Sequence, residues 1–248
     1  MPRLEGLTVL LTRSAEDSAD WARALAAEGA LPIVFPCIET ETCGDDDLGA
    51  RIGAAVDEAD WIVFTSRRGV DAFAELVDSS PPAGVRLAAV GETTARRLCE
   101  RFGRADHTGG GTARALAGSL AASAGDGERY VLAVAENAGD VLERTLAAAG
   151  ARVSRFDVYR TIPAGGRSPR RALSTLGART VVFASPSAVT GFGNRVDVDI
   201  DPQIVTIGPS TSATVRAHDW AVAAEARTPQ LSGVIDAILE ASHVRTEA

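Results

Sequence analysis

The sequence contains no lysine, so that all 25 of its Lys and Arg residues are arginine. Lysine forms the Schiff bases of covalent catalysis, including the attachment of pyridoxal phosphate, and it is the basic residue of the Walker A loop. The GxSxG turn of serine hydrolases and the HExxH motif of zinc proteases are absent as well. These absences argue against enzymes that use a lysine Schiff base, a Walker A lysine, a GxSxG serine or an HExxH zinc site.

Cysteines are few and apolar runs are short. Cys37, Cys43 and Cys99 are odd in number and form no CxxC pair, which favours structural thiols over a metal site. No apolar run approaches the roughly 18 residues needed to cross a bilayer. The first residues lack the long apolar stretch of a signal peptide. We therefore expect a cytoplasmic protein that makes no membrane contact and binds no metal.

The charge balance is acidic, with a formal net charge of −8. Nucleic-acid binding relies on Lys and Arg to neutralise phosphates, so the net charge argues against nucleic acid as the main partner. Apolar residues make up 46% of the 248 positions, which is ample for the core of one large domain or two small ones.

A short pattern occurs twice, about 120 residues apart. In each copy an apolar strand runs into a serine at the start of a predicted helix, Ser66 in the first copy and Ser185 in the second. About twenty residues later each copy has a second hydroxyl-bearing turn, with Thr93 and Thr94 in the first copy and Ser210 and Thr211 in the second.

The repeat extends to most of the chain. Residues 7–36 resemble residues 128–158, and we call these the R segments; residues 58–120 resemble 179–240, and we call these the X segments. The order R-X-R-X indicates the duplication of a half. Short, nearly continuous apolar runs alternate with helical spacing, which predicts two doubly wound α/β domains with parallel sheets. An extended segment with a proline follows each R segment, as expected for paired hinge strands.

Ligands of open α/β sheets bind beyond the carboxyl ends of the strands, where helix N-termini attract anions. Each hydroxyl at these turns can also simply cap its own helix. Four turns that match between two halves favour an anionic ligand with several carboxylates or phosphates. The candidate binding residues are Arg13, Ser66, Arg67, Thr93, Thr94, Ser185, Ser187, Ser210 and Thr211.

Tyr159 is the candidate for chemistry. It is one of only two tyrosines and lies in the extended segment that follows the second R segment. A phenol in that place can donate a proton or a hydrogen bond to a leaving hydroxyl. The alternative role is packing of the hinge.

Six short segments, taken together, resemble the uroporphyrinogen-III synthase family over nearly the whole chain. Each piece is weak alone, and their order and spacing carry the resemblance. They are Val9–Arg13, Ile62–Ser66, Val90–Ala95, Val158–Thr161, Val182–Ser187 and Ile207–Thr211.

The resemblance implies two flavodoxin-like domains joined by a two-stranded β-ladder hinge. One domain would combine residues 1–36 with 164–248, the other would span 41–156, and 37–40 and 157–163 would be the connectors. Ser66 and Ser185 would then lie on opposite walls of a shared cleft. The family also implies a monomer that needs neither cofactor nor metal.

The implied reaction is the cyclisation of hydroxymethylbilane, a linear tetrapyrrole with eight carboxylates, to uroporphyrinogen III, with inversion of ring D and loss of water. Tyr159 would assist departure of the hydroxyl, and the hydroxyl turns would bind carboxylates. The family often has an Arg-Gly-Glu-like turn after the strand of the second R segment, whereas residues 134–140 contain no arginine. A paralogue with altered activity therefore stays open. Two further alternatives are a non-catalytic protein that closes on a polyanion, which would share the cleft and the hydroxyl turns, and a sensor with the same fold.

Overall fold

The computed structural model describes residues 3–44, 47–77, 79–165 and 169–244. The first elements in chain order are β1 Thr8–Leu11, α1 Ala15–Ala27, β2 Leu31–Val34, β3 Ile38–Thr42, α2 Leu48–Asp57, β4 Trp61–Phe64, α3 Arg67–Leu76, β5 Arg86–Ala89, α4 Glu92–Phe102, β6 His107–Thr108 and α5 Ala113–Ser123. They are followed by β7 Arg129–Ala135, α6 Val141–Ala148, β8 Arg152–Pro163, β9 Arg171–Ala172, a 3₁₀ turn Leu173–Leu176, β10 Thr180–Phe183, α7 Pro186–Arg195, β11 Val196–Asp197, β12 Gln203–Thr206, α8 Pro209–Ala217, β13 Val222–Glu225 and α9 Leu231–Val244.

The chain forms two compact units. The discontinuous unit comprises Met1–Glu39 and Thr161–Ala248, and the continuous unit comprises Thr40–Arg160. Each unit thus contains one X segment and the R segment of the other half.

The discontinuous unit is built on a five-stranded sheet in the order β13-β12-β10-β1-β2, and every neighbouring pair is parallel. Numbered along the unit, this is the flavodoxin-like order 2-1-3-4-5. Strands β1 and β10 lie inside the sheet and are apolar along almost their whole length because both faces are covered. One buried cluster includes Leu25 and Val234, and a second includes Phe183 and Phe192.

The continuous unit is built on a six-stranded sheet in the order β3-β8-β7-β4-β5-β6. The pairs from β8 to β6 are parallel. If β7 and β8 are counted first, the order of these five strands is again 2-1-3-4-5. The two units therefore have the same strand order, but the R segment precedes the X segment in the discontinuous unit and follows it in the continuous unit. The predicted fold class, two flavodoxin-like doubly wound α/β domains, is confirmed. Strand β3 lies beside β8 at the edge of this sheet, and the hinge role of the two strands stays a prediction.

The two R segments match in backbone conformation as well as in sequence. Gly29 and Gly150 follow α1 and α6, and both have a φ of +89°. A left-handed residue after a helix favours glycine because a Cβ is strained there. No helix in the described part of the chain is long and apolar enough to cross a membrane.

Candidate functional site

The turn from β4 to α3 places Ser66 at the carboxyl edge of the continuous unit's sheet. Ser66 is extended, with φ −161° and ψ 159°, and its Oγ accepts a hydrogen bond from the Gly69 N–H at 3.0 Å. A Cβ on Gly69 would lie 3.1 Å from the Ala133 carbonyl oxygen, so the first turn of α3 packs closely on β7. The serine is therefore a helix cap held rigidly at the end of a buried strand.

Tyr159 reaches the same turn from β8. The β7–β8 register shifts between Val134 and Ala135, so that Val134 pairs with Asp157 and Ala135 pairs with Tyr159. The Tyr159 side chain is 8% exposed. The Ser66 hydroxyl donates a hydrogen bond to Tyr159 Oη at 3.0 Å. The structure thus brings together the predicted proton donor and one of the predicted binding serines, which are 93 residues apart in sequence.

The second turn of this unit, from β5 to α4, presents one hydroxyl and buries another. Thr93 is exposed, whereas Thr94 is 2% exposed. The helix begins after Gly91, which has no side chain to cap it. A Cβ on Gly91 would lie 3.2 Å from Gly111 Cα, and the Gly111 N–H donates to the Val90 carbonyl at 2.8 Å. The glycine run 109–111 therefore packs against this turn, a contact that no sequence motif predicts.

The discontinuous unit has the matching pair of turns. Ser185 caps α7 and accepts from the Ala188 N–H at 3.2 Å, and Ser187 lies in the first turn of that helix. At the start of α8, Ser210 is exposed and Thr211 is 1% exposed. In each unit, then, the later residue of the second turn is buried against the unit's own interior.

Two of the residues predicted to bind the anionic ligand are arginines that lie near strand ends. Arg13 follows β1, and its guanidinium carbon lies 4.4 Å from the centroid of the Trp21 ring. Arg67 is the first residue of α3 and is partly buried. Both residues thus follow the carboxyl ends of parallel strands, where anions are expected to bind.

The turn after β7, which lacks arginine, is held by an arginine from β8. Arg155 Nη2 donates to the carbonyls of Ala135, Glu136 and Ala138 at 3.2, 3.3 and 3.1 Å. Its Nη1 donates to Glu143 at 3.0 Å and its Nε to Asp157 at 2.8 Å. Because its donors are engaged within the protein, Arg155 shapes this turn. Sequence reasoning missed it because the partners lie on three different segments.

Burial gives Cys37 a structural role, whereas Cys99 is exposed. Cys37 is 0% exposed, and burial raises the pKa of its thiol to about 12. Cys99 is exposed on α4. Among the described residues, no group of three or more His, Cys, Asp or Glu is placed to hold a metal ion.

We expect alkylation to modify Cys99 much faster than Cys37. The thiolate is the reactive form, so a rise in the thiol pKa from 9.0 to about 12 lowers the reactive fraction of Cys37 by roughly 10³-fold at pH 8, before burial slows access further. Mass spectrometry after brief iodoacetamide treatment of the native protein should find Cys99 modified and Cys37 intact. Denatured protein should show both modified, and rapid native labelling of Cys37 would contradict its burial.

The family model described as uroporphyrinogen-III synthase HemD matches residues 19–236. The chain belongs to the uroporphyrinogen-III synthase family. It is 26% identical to the porphyrin biosynthesis protein HemD of Ruminiclostridium josui, over 96% of this chain and 49% of that protein. It thus spans about half the length of that relative. It is 27% identical to the uroporphyrinogen-III synthase of Synechococcus elongatus, over 95% of both chains.

Solved structures of synthases from this family share the fold. The Helicobacter pylori enzyme matches with a TM-score of 0.56 at 14% identity, over 94% of this chain and 98% of that one. A mutant enzyme of Thermus thermophilus matches with a TM-score of 0.52 at 18% identity, over 96% of this chain and all of that one. Membership of the synthase family gives no support to the non-catalytic alternatives.

Proposed function

We propose that this chain is a uroporphyrinogen-III synthase that cyclises hydroxymethylbilane with inversion of ring D and loss of water. The observation that carries the proposal is the Tyr159 phenol, which receives a hydrogen bond from the helix-capping Ser66 at the carboxyl edge of a parallel sheet. That edge is where α/β folds bind ligands, and family membership supports a tetrapyrrole as the substrate class.

Tyr159 acts as the general acid in the first step. Its Oη–H proton moves to the hydroxyl of the hydroxymethyl group as the C–O bond breaks, so that water leaves and an azafulvene cation forms. Ring D attacks this cation through its substituted carbon to give a spiro intermediate, which fragments and recloses. The proton lost when the macrocycle forms returns to the phenolate, and the net change is the loss of one water.

The hydroxyl turns bind substrate carboxylates. Thr93, Ser185, Ser187 and Ser210 place hydroxyls beside helix N-termini, where the N–H groups and helix dipole favour anions. Thr94 and Thr211 are buried, so their contribution is to fix the turns. Arg13 and Arg67 add local positive charge, which lets a chain of net charge −8 hold a substrate with several carboxylates.

A coupled assay tests this function. Hydroxymethylbilane is generated in situ, the chain is added, and the oxidised products are separated into uroporphyrin isomers I and III. We expect isomer III to dominate, because the enzyme holds the flexible tetrapyrrole in the geometry for ring inversion. Heat-denatured protein provides the background. If isomer III does not rise above that background, the proposed activity is wrong, and a chain that binds the tetrapyrrole without changing the isomer ratio would fit the polyanion-binding alternative.

A further inference from the structure

Ser66 and Ser185 occupy the same position in the two halves but make different hydrogen bonds. Each caps its helix, with N–H to Oγ distances of 3.0 Å for Ser66 and 3.2 Å for Ser185. Ser66 also donates its hydroxyl proton, to Tyr159 Oη at 3.0 Å. A serine has one hydroxyl proton. In this geometry the proton of Ser66 is therefore not available to a substrate carboxylate.

The hydrogen bond also determines the direction of the tyrosine proton. With the Ser66 proton directed at its oxygen, the Tyr159 O–H must point away from Ser66. Within the described residues, Tyr159 Oη has no second side-chain partner. Tyr159 cannot easily turn, because its side chain is 8% exposed and the β7–β8 register shift fixes its backbone. The phenol is thus prepared to donate to an incoming group.

From this geometry we infer that Ser66 is a positioning residue that orients the Tyr159 proton and stabilises the phenolate left by its transfer. The inference rests on the proposed function and assigns Ser66 a different role from carboxylate binding. During the step the Tyr159 O–H bond breaks and the proton leaves with the departing water. The Ser66 O–H bond stays intact, and its hydrogen bond strengthens as the phenol oxygen becomes an anion.

The start of α3 supports the same role. The Gly69 N–H donates to Ser66 Oγ and Ser66 donates to Tyr159, so the hydrogen bonds run in one direction from the helix backbone to the phenol. Aligned bonds of this kind polarise one another. The helix N-terminus carries a partial positive charge that favours negative charge nearby. Both effects act on the phenolate and only weakly on the neutral phenol.

A double-mutant cycle separates this role from capping. The variants are Ser66→Ala, Tyr159→Phe and the pair, with Ser185→Ala and its pair with Tyr159→Phe as the matched comparison. Both alanines remove a cap bond, but only Ser66→Ala removes a bond to the phenol. We expect Ser66→Ala to lower kcat about tenfold with KM little changed, and to have less than a twofold effect once Tyr159 is replaced by phenylalanine.

The comparison variants complete the test. Ser185→Ala should change activity by the same factor whether Tyr159 is intact or replaced, because the Ser185 hydroxyl is bonded to its own helix and not to the phenol. Ser66→Thr keeps the hydroxyl and should retain kcat within about threefold of the unmodified chain. If Ser66→Ala acts equally in both backgrounds, or changes only KM, Ser66 is a binding or capping residue and the inference is overturned.

A spectroscopic measurement tests the hydrogen bond without activity. The chain has two tyrosines, so Tyr130→Phe leaves Tyr159 as the only phenol. The tyrosine Fermi doublet in the resonance Raman spectrum distinguishes a phenol oxygen that accepts a hydrogen bond from one that does not. Ser66→Ala should shift the doublet and Ser185→Ala should leave it unchanged. A doublet unaffected by Ser66→Ala would overturn this inference alone, whereas absence of isomer III with the unmodified chain would overturn the proposed function.

Discussion

Tyr159→Phe is expected to lower kcat for isomer III formation by about 10²-fold, at the low end of the range for general acids, with KM changed less than about twofold. Phe fills the same space and keeps the packing of a side chain that is 8% exposed. It removes only the hydroxyl that meets Ser66. Since the phenol is proposed to act on the leaving hydroxyl and not on a carboxylate, the loss should fall on the chemical step.

Tyr130→Phe is the matched control. Tyr130 lies near the amino end of β7, 1% exposed, and its hydroxyl donates to Glu128 at 2.8 Å. Burial and the adjacent Glu128 carboxylate raise the pKa of Tyr130, which makes it a poor acid. Removing its hydroxyl should cost about 1 kcal/mol of stability and leave kcat unchanged. The prediction is checked by measuring kcat and KM for isomer III formation with both variants. Equal turnover for Tyr159→Phe and the unmodified chain would mean that Tyr159 has no essential role.

The fold class could be predicted because the strands are short and almost wholly apolar. Runs such as Ile62–Phe64 and Val181–Phe183 are buried on both faces, which is typical of central parallel strands. The internal repeat also predicted the R-X-R-X order of the segments along the chain. What a sequence does not give directly is the pairing of β7 with β4, because that contact joins the second R segment to the X segment that precedes it.

The turns were predictable as helix starts, but the direction of each hydroxyl was not. Neighbouring helical residues point about 100° apart, so one of two adjacent threonines can face the solvent while the other faces the sheet. Thr93 is exposed and Thr94 buried for this reason, and Ser210 and Thr211 repeat the pattern. The sequence alone does not tell these hydroxyls apart, whereas packing exposes the first of each pair and buries the second.

The Ser66–Tyr159 contact was beyond sequence reasoning for a different reason. It depends on the register shift between β7 and β8, which makes both Val158 and Tyr159 buried where simple alternation would expose one of them. Such a shift carries no sequence signal comparable to a motif. Tyr159 could therefore be selected from its rarity and place in the chain, but its partner could not.

Gly191→Ala is expected to destabilise the protein by about 3 kcal/mol or more, a large effect for one methyl group. A Cβ at this position of α7 would overlap the carbonyl oxygen of Cys37 and lie 2.8 Å from the Ala164 nitrogen. Those two atoms are themselves hydrogen-bonded at 2.9 Å. Backbone atoms cannot rotate away as a side chain can, so the helix must move or the hydrogen bond must lengthen.

Gly118→Ala makes the same chemical change with the opposite expected sign. Gly118 lies within α5, is exposed, and a Cβ there would meet nothing within 4 Å. Alanine should stabilise this helix by about 0.5–1 kcal/mol, because glycine loses more backbone freedom on folding. Urea denaturation followed by circular dichroism should therefore move the midpoint down for Gly191→Ala and slightly up for Gly118→Ala. Similar midpoints for the two variants would mean that α7 does not contact the Cys37 backbone as closely as described, and that the segment leaving β2 is free to accommodate a methyl group.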